Sequence, residues 1–492
     1  LLRVNFTKFH MLAFEGSIKF IKLDQRLGFI FLEFLPYFNF SDRFTVMSQN
    51  ERRSFIKQTA TAGLAISALG FPNVLSAKDD RKARIAFIGL GGRGRWHLRM
   101  ILQRNDTEVK AICDVDSKAI EESRKMLGEA GYKKVPEFTE GDFAYRKLLE
   151  MDDIDGVIIA TPWLWHTRMA VDTMKAGKYA GVEVSAANTM EECWDLVETH
   201  EATGVPCMIL ENVCYRRDVM AVLNMVRQDM FGELVHLECG YQHDLREVKF
   251  DPGVEFGPGA NGEARWRTQH SVTRNGDIYP THGIGPVAEY ININRGNRFV
   301  SLTSTASKAR GLHDYIVKNG GEDHPNAKVR FKLGDVITTV IKTANGESII
   351  VSHDTNLPRP YSLGFRVQGT KGIWMDVNQS IYLEGVSPKP HTWEPAASYL
   401  EKHDHPLWKK YASQAEGAGH GGMDFFVDHA FVEAVKRKAP TPLDAYDAAA
   451  WSAITPLSEQ SIALGNKPME FPDFTRGQWI KRKPVFALDD SY

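Results

Sequence analysis

Residues 82–102 read KARIAFIGLGGRGRWHLRMIL, and this stretch decides the fold. A short apolar strand runs into Gly89-Leu90-Gly91-Gly92-Arg93-Gly94, and an amphipathic helix follows at once. The glycines at 89, 91 and 94 carry separate duties: a tight turn, close approach of the backbone to a pyrophosphate, and close packing of helix on strand. Behind them the helix N-terminus offers unpaired N–H groups and the positive end of its dipole to phosphate. Alone, such spacing is a weak signal. Here it opens a βαβ unit whose second strand, residues 108–114 (EVKAICD), ends in Asp114, twenty residues beyond Gly94. That interval is the usual one for a carboxylate that binds a ribose hydroxyl. An acid there favours NAD over NADP, because a 2′-phosphate would meet like charge. The plainer alternative for Asp114 is a helix cap after the strand.

The alternation continues. Residues 154–162 (IDGVIIATP) form a buried strand and turn, and Trp163-Leu164-Trp165-His166 opens the next helix. Residues 178–184 (KYAGVEV) and 205–212 (VPCMILEN) supply two further strand ends. Ligands of a doubly wound sheet gather at the C-terminal strand ends, so these segments are expected to ring one cleft. The dinucleotide domain is therefore expected over residues 81–212. A substrate-binding α/β domain should follow over 213–440, and a C-terminal helix and tail packing back over 441–492.

With 60 Lys+Arg against 62 Asp+Glu in 492 residues, the formal net charge is −2, which argues against a nucleic-acid or polybasic membrane partner. A hydrophobic share of 43% and a charged share of 25% rule out a mainly disordered chain. Five cysteines cannot make a disulfide scaffold in so long a chain, and no Cys-x-x-Cys pair points to a metal. Cys113, Cys207 and Cys239 lie in apolar runs and read as small buried thiols.

Residues 1–46 are apolar and aromatic without sustained period. They read as translated upstream or non-native sequence with Met47 as the start; an amphipathic arm is the alternative. Residues 47–80 place Arg52 and Arg53 before Ser54-Phe55-Ile56-Lys57, then a mildly apolar Ala/Gly/Thr-rich stretch ending near Ala77. This is similar to a twin-arginine export signal, and it is too short and weak to span a membrane. An exported, periplasmic protein that folds around its cofactor before transport is expected, with no membrane span in the mature chain. An ordinary charged N-terminus is the alternative.

Beyond residue 212, residues 232–241 start a strand, and residues 250–265 are rich in Gly and Pro and read as a long functional loop. Residues 336–342 and 348–353 flank Asn345-Gly346, a favoured hairpin turn. Strands are also expected over 361–368 and 372–377, and helices from 423 and over 445–463. The fold class is α/β: an N-terminal Rossmann dinucleotide-binding domain plus a C-terminal α/β domain with an open, mainly antiparallel sheet. Tyr279 and His282 stand three apart at the start of a helix-like run, a spacing that puts both side chains on one face. A phenol and an imidazole are suitable acid/base groups beside a sugar ring, although His282 could equally be a buried, hydrogen-bonded histidine. His270, His353 and His420 have weaker cases, with His420 leaning towards a helix cap.

The glycine turn, Thr161-Pro162 with His166 four residues on, and Glu183 resemble the Gfo/Idh/MocA oxidoreductase superfamily. In its sugar dehydrogenases a lysine follows the glutamate and assists proton removal from the hydroxyl; here Val184 and Ser185 stand in place of lysine and proline. A closer resemblance is carried by Trp163-Leu-Trp-His166, Glu183-Val-Ser185, Glu211-Asn-Val-Cys-Tyr-Arg216, Trp266-Arg-Thr268 and residues 276–287 (GDIYPTHGIGPV). These are similar to the NAD-dependent α-N-acetylgalactosaminidase family of glycoside hydrolases, over essentially everything from residue 82 onward. The resemblance implies dinucleotide contacts at Gly92, Arg93, Asp114, Trp163, Leu164, Trp165, His166, Glu183, Val184 and Asn212. It implies sugar contacts at Tyr241, Arg267, Tyr279, Pro280, Thr281, His282 and Tyr361, with His282 the principal base and Tyr279 assisting.

The reaction so implied is a redox detour, one of the exceptions to the two-carboxylate rule of glycosidases. With NAD bound, C3 of a terminal N-acetylgalactosamine is oxidised, the C2 proton becomes acidic, and the C1 aglycone leaves by elimination. Water then adds and C3 is reduced again, so no cofactor exchange is needed. The rivals are an NAD-dependent sugar dehydrogenase, which would turn over free NAD, and a non-catalytic NAD- or sugar-binding regulator. By analogy with such folds, the open sheet implies a homo-oligomer.

Overall fold

The computed structural model describes residues 81–250, 256, 260 and 262–492, and the backbone of a separate antiparallel strand pair, Ile21–Leu23 with Ile30–Leu32. The expected upstream segment and export signal otherwise lie outside the described residues, as does most of the 250–265 loop.

Six parallel strands form the first sheet: β1 (Ala83–Ile88), β2 (Thr107–Cys113), β3 (Glu137–Phe138), β4 (Gly156–Ile159), β5 (Tyr179–Val182) and β6 (Cys207–Ile209). Their order is β3-β2-β1-β4-β5-β6. Strand order reverses between β1 and β4, which opens a crevice at their C-terminal ends. β4 is buried at every position, as expected for a parallel strand covered on both faces. The Met423–Arg437 helix, late in the chain, supplies part of that cover: the Phe431 ring packs on Gly156 of β4 and Gly181 of β5.

The second sheet has nine strands: β7 (Leu234–Gln242), β8 (Phe299–Ala306), β9 (Val336–Thr343), β10 (Ser348–Asp354), β11 (Arg366–Gly369), β12 (Gly372–Met375), β13 (Ser380–Leu383), β14 (Glu394–Pro395) and β15 (Met469–Glu470). They lie in the order β14-β13-β12-β11-β7-β10-β9-β8-β15. Every pairing is antiparallel except β7 with β10, at the middle of the sheet. Asn345 and Gly346 turn β9 into β10, with Gly346 at φ +105. The strand expected from 361 is shorter: Ser362 makes a single bridge to Gln242, and pairing in earnest starts at Arg366. Along β9, buried Ile337, Thr339, Ile341 and Thr343 alternate with exposed Thr338, Val340 and Lys342, so one face of the sheet is covered and the other open.

Helical pattern over 445–463 resolves into Ala445–Ser452 and Ile454–Ala463, with Pro456 in the first turn of the second helix, where its missing N–H costs nothing. All five cysteines are free and buried, and burial pushes the Cys113 and Cys207 thiols up to about 12. Among the described residues no helix is long and apolar enough to cross a membrane.

Candidate active site

At the end of β1 the chain turns through Gly89 at φ +86. A Cβ on Gly89 would stand 2.7 Å from the Ala160 backbone, and one on Gly94 would stand 1.9 Å from the Gly89 carbonyl oxygen. Glycine at both places is what lets the Gly92–Leu102 helix begin so close to β1 and β4. Gly91 and Gly92 differ, because nothing lies within 4 Å of where their Cβ atoms would be. Gly91 sits at the N-cap without any side-chain cap, and the first turn contains no acid. The Met190–Thr203 helix, by contrast, is closed by a reciprocal Thr189–Glu192 capping box. Uncapped N–H groups above an open cradle fit the pyrophosphate of a dinucleotide.

Asp114 stands beside this turn, accepting from the Leu90 N–H at 2.5 Å and the Asp116 N–H at 2.8 Å. The cap of the following helix is Asp116, not Asp114: its carboxylate accepts from the Lys118 N–H at 2.9 Å. Asp114 is thus half-buried and held at the rim of the cradle, in the place a ribose-binding acid occupies.

A buried ionic network backs the cradle. Arg93 reaches Glu183 at 2.7 Å and Asp424 at 3.0 Å. His97 lies between Glu183 at 2.8 Å and Asp428 at 2.7 Å. Burial opposes a charge on His97, but Asp428 and Glu183 outweigh it and hold the imidazole at about 9. Burial likewise opposes the Glu183 charge, yet Arg93 and His97 keep that carboxyl well below the usual range. Asn212 donates to Asp424 at 2.6 Å, and His420 meets the other Asp424 oxygen at 2.7 Å, so His420 belongs to the network through its side chain. His166 bridges the Thr161 and Ser185 carbonyl oxygens at 2.6 and 2.8 Å, tying the turns after β4 and β5 together. Val184 is buried beside it. Leu164 is exposed and Trp165 packs edge-on against Phe143 at 5.7 Å, so neither joins the network.

The second sheet and its helices bring the sugar-side residues to the same crevice. Trp163 stacks on Tyr279 with ring centroids 5.2 Å apart, and the Arg267 guanidinium lies over both rings at 4.9 and 5.1 Å. Tyr241, from β7, meets Tyr279 at 4.7 Å and His282 at 5.4 Å, and its hydroxyl is 3.1 Å from His243. Tyr361 stands half exposed at the rim against His243 and Tyr241. Pro280 occupies the N-cap of the Thr281–Tyr290 helix, and the buried Thr281 hydroxyl has no hydrogen-bond partner among the described residues. Burial holds the Tyr279 phenol well above its usual pKa, with Arg267 pulling the other way. Arg267 is also paired with Glu263 at 2.6 Å. His282 directs Nδ1 to Glu211 at 2.6 Å and leaves Nε2 without a partner among the described residues. Burial and the nearby Arg274 and Arg267 bring His270 down to about 4, so it is a neutral ring packed on Trp163. His353 is buried and held neutral well below its usual pKa by burial and Lys249.

Glu211, Asp424, Asp428 and His97 complete the site and carry no local sequence signal of their own. The pairs Glu211–His282, Asn212–Asp424 and His97–Asp428 join residues 71 to 331 apart along the chain.

Residues 83–211 match the family described as "Oxidoreductase family, NAD-binding Rossmann fold", and residues 215–481 match "Glycosyl hydrolase 109, C-terminal domain". A "Glycosyl hydrolase family 109 protein" of Stenotrophomonas maltophilia (strain K279a) is 56% identical over 455 residues, covering 90% of this chain and 99% of that one. An "Alpha-N-acetylgalactosaminidase" of Tannerella forsythia is 52% identical over 468 residues, covering 89% of this chain and all of that one. Among solved structures, a levoglucosan dehydrogenase in complex with NADH and levoglucosan shares the fold, with a TM-score of 0.61 at 19% identity over 80% of this chain and 100% of that one. The chain carries an NAD-binding Rossmann domain joined to the C-terminal domain of a glycoside hydrolase, and it belongs to glycosyl hydrolase family 109.

Proposed function

We propose that this hydrolase removes terminal α-linked N-acetylgalactosamine with NAD as its resident cofactor. The observation that supports the reading is the Trp163–Tyr279 stack under Arg267, which joins the helix after β4 to the segment that carries Tyr279 and His282. The activity for which the Tannerella forsythia relative is named, at 52% identity, supports the substrate. Bound NAD would supply a transient oxidation at C3 of the sugar, which makes the neighbouring C2 proton acidic.

The residues present do the rest. His282, whose Nε2 has no partner among the described residues, accepts a proton from the sugar. Tyr279 keeps its proton at neutral pH and acts as a hydrogen-bond donor to a sugar oxygen. Arg267 presents a fixed donor fork to a hydroxyl or carbonyl oxygen. Tyr241 and Tyr361 offer ring faces to the sugar. Val184, apolar and buried, has no proton-accepting group where sugar dehydrogenases of the superfamily carry lysine, which favours the hydrolase over the dehydrogenase.

Export by the twin-arginine route is part of the same proposal, supported by Arg52-Arg53-Ser54-Phe55-Ile56-Lys57. So is a homo-oligomer formed through the open face of the second sheet. The test of function is incubation of purified protein with p-nitrophenyl α-N-acetylgalactosaminide without added nicotinamide. Nitrophenol release, with NAD recovered from the denatured protein, is expected; activity seen only as reduction of added NAD would overturn the reading.

A further inference from the structure

We propose that Glu211 is the positioning carboxylate of His282, fixing which imidazole nitrogen faces the sugar and stabilising the imidazolium that forms when the ring takes a proton. The inference rests on the glycosidase reading for the task of His282, but its geometric part stands apart from it. Glu211 follows β6 directly and is fully buried. Its Oε1 stands 2.6 Å from His282 Nδ1 and also accepts the Val213 N–H at 3.0 Å, so the carboxylate is anchored to its own backbone turn. Oε2 is buried and has no partner among the described residues.

The approach of the two elements is built into the helix that carries His282. Gly285 lies three residues on, hence on the same helix face. A Cβ at 285 would stand 3.1 Å from Glu211 Cγ and 3.0 Å from Cys214 Sγ, so a larger residue would press the helix away from Glu211. The missing side chain at 285 and the carboxylate at 211 therefore belong to one contact.

The simpler role for Glu211 is to cap the short Asn212–Tyr215 turn through the Val213 N–H. A neutral amide would do that equally well, which separates the two roles. With Nδ1–H donated to Glu211, the lone pair resides on Nε2. When Nε2 takes a proton the ring becomes an imidazolium, with Nδ1–H still donated to the Glu211 carboxylate. The other titratable groups facing His282 and Glu211 are Tyr279 on the same segment, Tyr241 of β7 with His243 beyond it, Tyr361, Cys214, and Arg267 acting across Tyr279. All of them are retained in Glu211→Gln.

The test pairs kinetics with a direct view of the ring. Glu211→Gln should keep bound NAD and KM while kcat falls roughly 10²- to 10⁴-fold. Glu211→Asp should recover part of the loss. In ¹⁵N-histidine NMR, with the resonance assigned by His282→Gln, wild type should carry its proton on Nδ1 and Glu211→Gln should show a tautomer mixture. The NMR result is independent of whether any glycoside is cleaved, so failure of the glycosidase reading is seen separately, as an inactive wild type. Glu211→Gln with kcat within twofold, or a wild-type proton on Nε2, would overturn the proposal. If Glu211→Gln does not fold, the wild-type tautomer alone decides.

Discussion

On the cofactor side of the crevice, Arg93, His97, Glu183, Asp424 and Asp428 interlock through contacts of 2.7 to 3.0 Å. On the sugar side, Trp163, Tyr241, Tyr279 and His282 meet as rings, with centroids 4.7 to 5.4 Å apart, and the pairs His282–Glu211 and Arg267–Glu263 stand beside them. Charged groups taken out of water tolerate little displacement, so the first arrangement suits a ligand that never leaves. Ring faces form a shaped but adaptable wall, which suits a ligand exchanged at every turnover. Retention and turnover are thus assigned to different physics within one cleft, and substitutions on the two sides should fail differently.

The largest effect is expected on the sugar side. His282→Ala should lower kcat by about 10³-fold or more while bound NAD, measured after denaturation, stays at the wild-type level. Loss of NAD in this variant would blur the division between the two sides. Next comes Glu183→Gln, which leaves Arg93 and His97 short of a counter-ion. Breaking a buried pair from one side costs about 3–5 kcal/mol, so the thermal midpoint and the NAD content should fall together. Differential scanning calorimetry with NAD quantitation checks it.

A smaller effect concerns pH. The folded pKa of His97, about 9, lies above the unfolded value near 6.5. The stability from its charge is therefore fully present below pH ~6.5 and lost as pH rises through ~9, amounting to about 3 kcal/mol. The stability gap between wild type and His97→Gln should shrink over that window. The smallest effect is assigned to the half-exposed Tyr361: Tyr361→Ala should raise KM a few-fold, roughly 1 kcal/mol, and leave NAD content and kcat nearly unchanged.

Much of the fold was legible because its signals are local. Gly89, Gly94 and Asp114 are read from chain spacing, and the β9–β10 hairpin from Asn345-Gly346. Tyr279 and His282 do meet, with ring centroids 5.0 Å apart, but Tyr279 lies just ahead of the Pro280 N-cap, so the contact is not made on a helical turn as the spacing suggested. What was not legible depends on distance along the chain. The parallel pairing of β7 with β10 joins His236 to Ser348, and no local pattern encodes it. β8, FVSLTSTA, is half Ser and Thr and lacks a hydrophobic alternation strong enough to mark it. Asp424 and Asp428 sit on an ordinary-looking apolar helix, and Glu211 at a strand end; only the folded chain shows that they face Arg93, His97 and His282.

The central claim is that the glycosidic bond breaks by elimination beside a permanently held NAD, with His282 handling a proton made acidic by neighbouring oxidation. The most direct measurement is hydrolysis of p-nitrophenyl α-N-acetylgalactosaminide in D₂O without added nicotinamide, followed by NMR of the released sugar. Deuterium at C2 of the N-acetylgalactosamine product is expected; full retention of protium at C2 while nitrophenol is released would contradict elimination beside bound NAD.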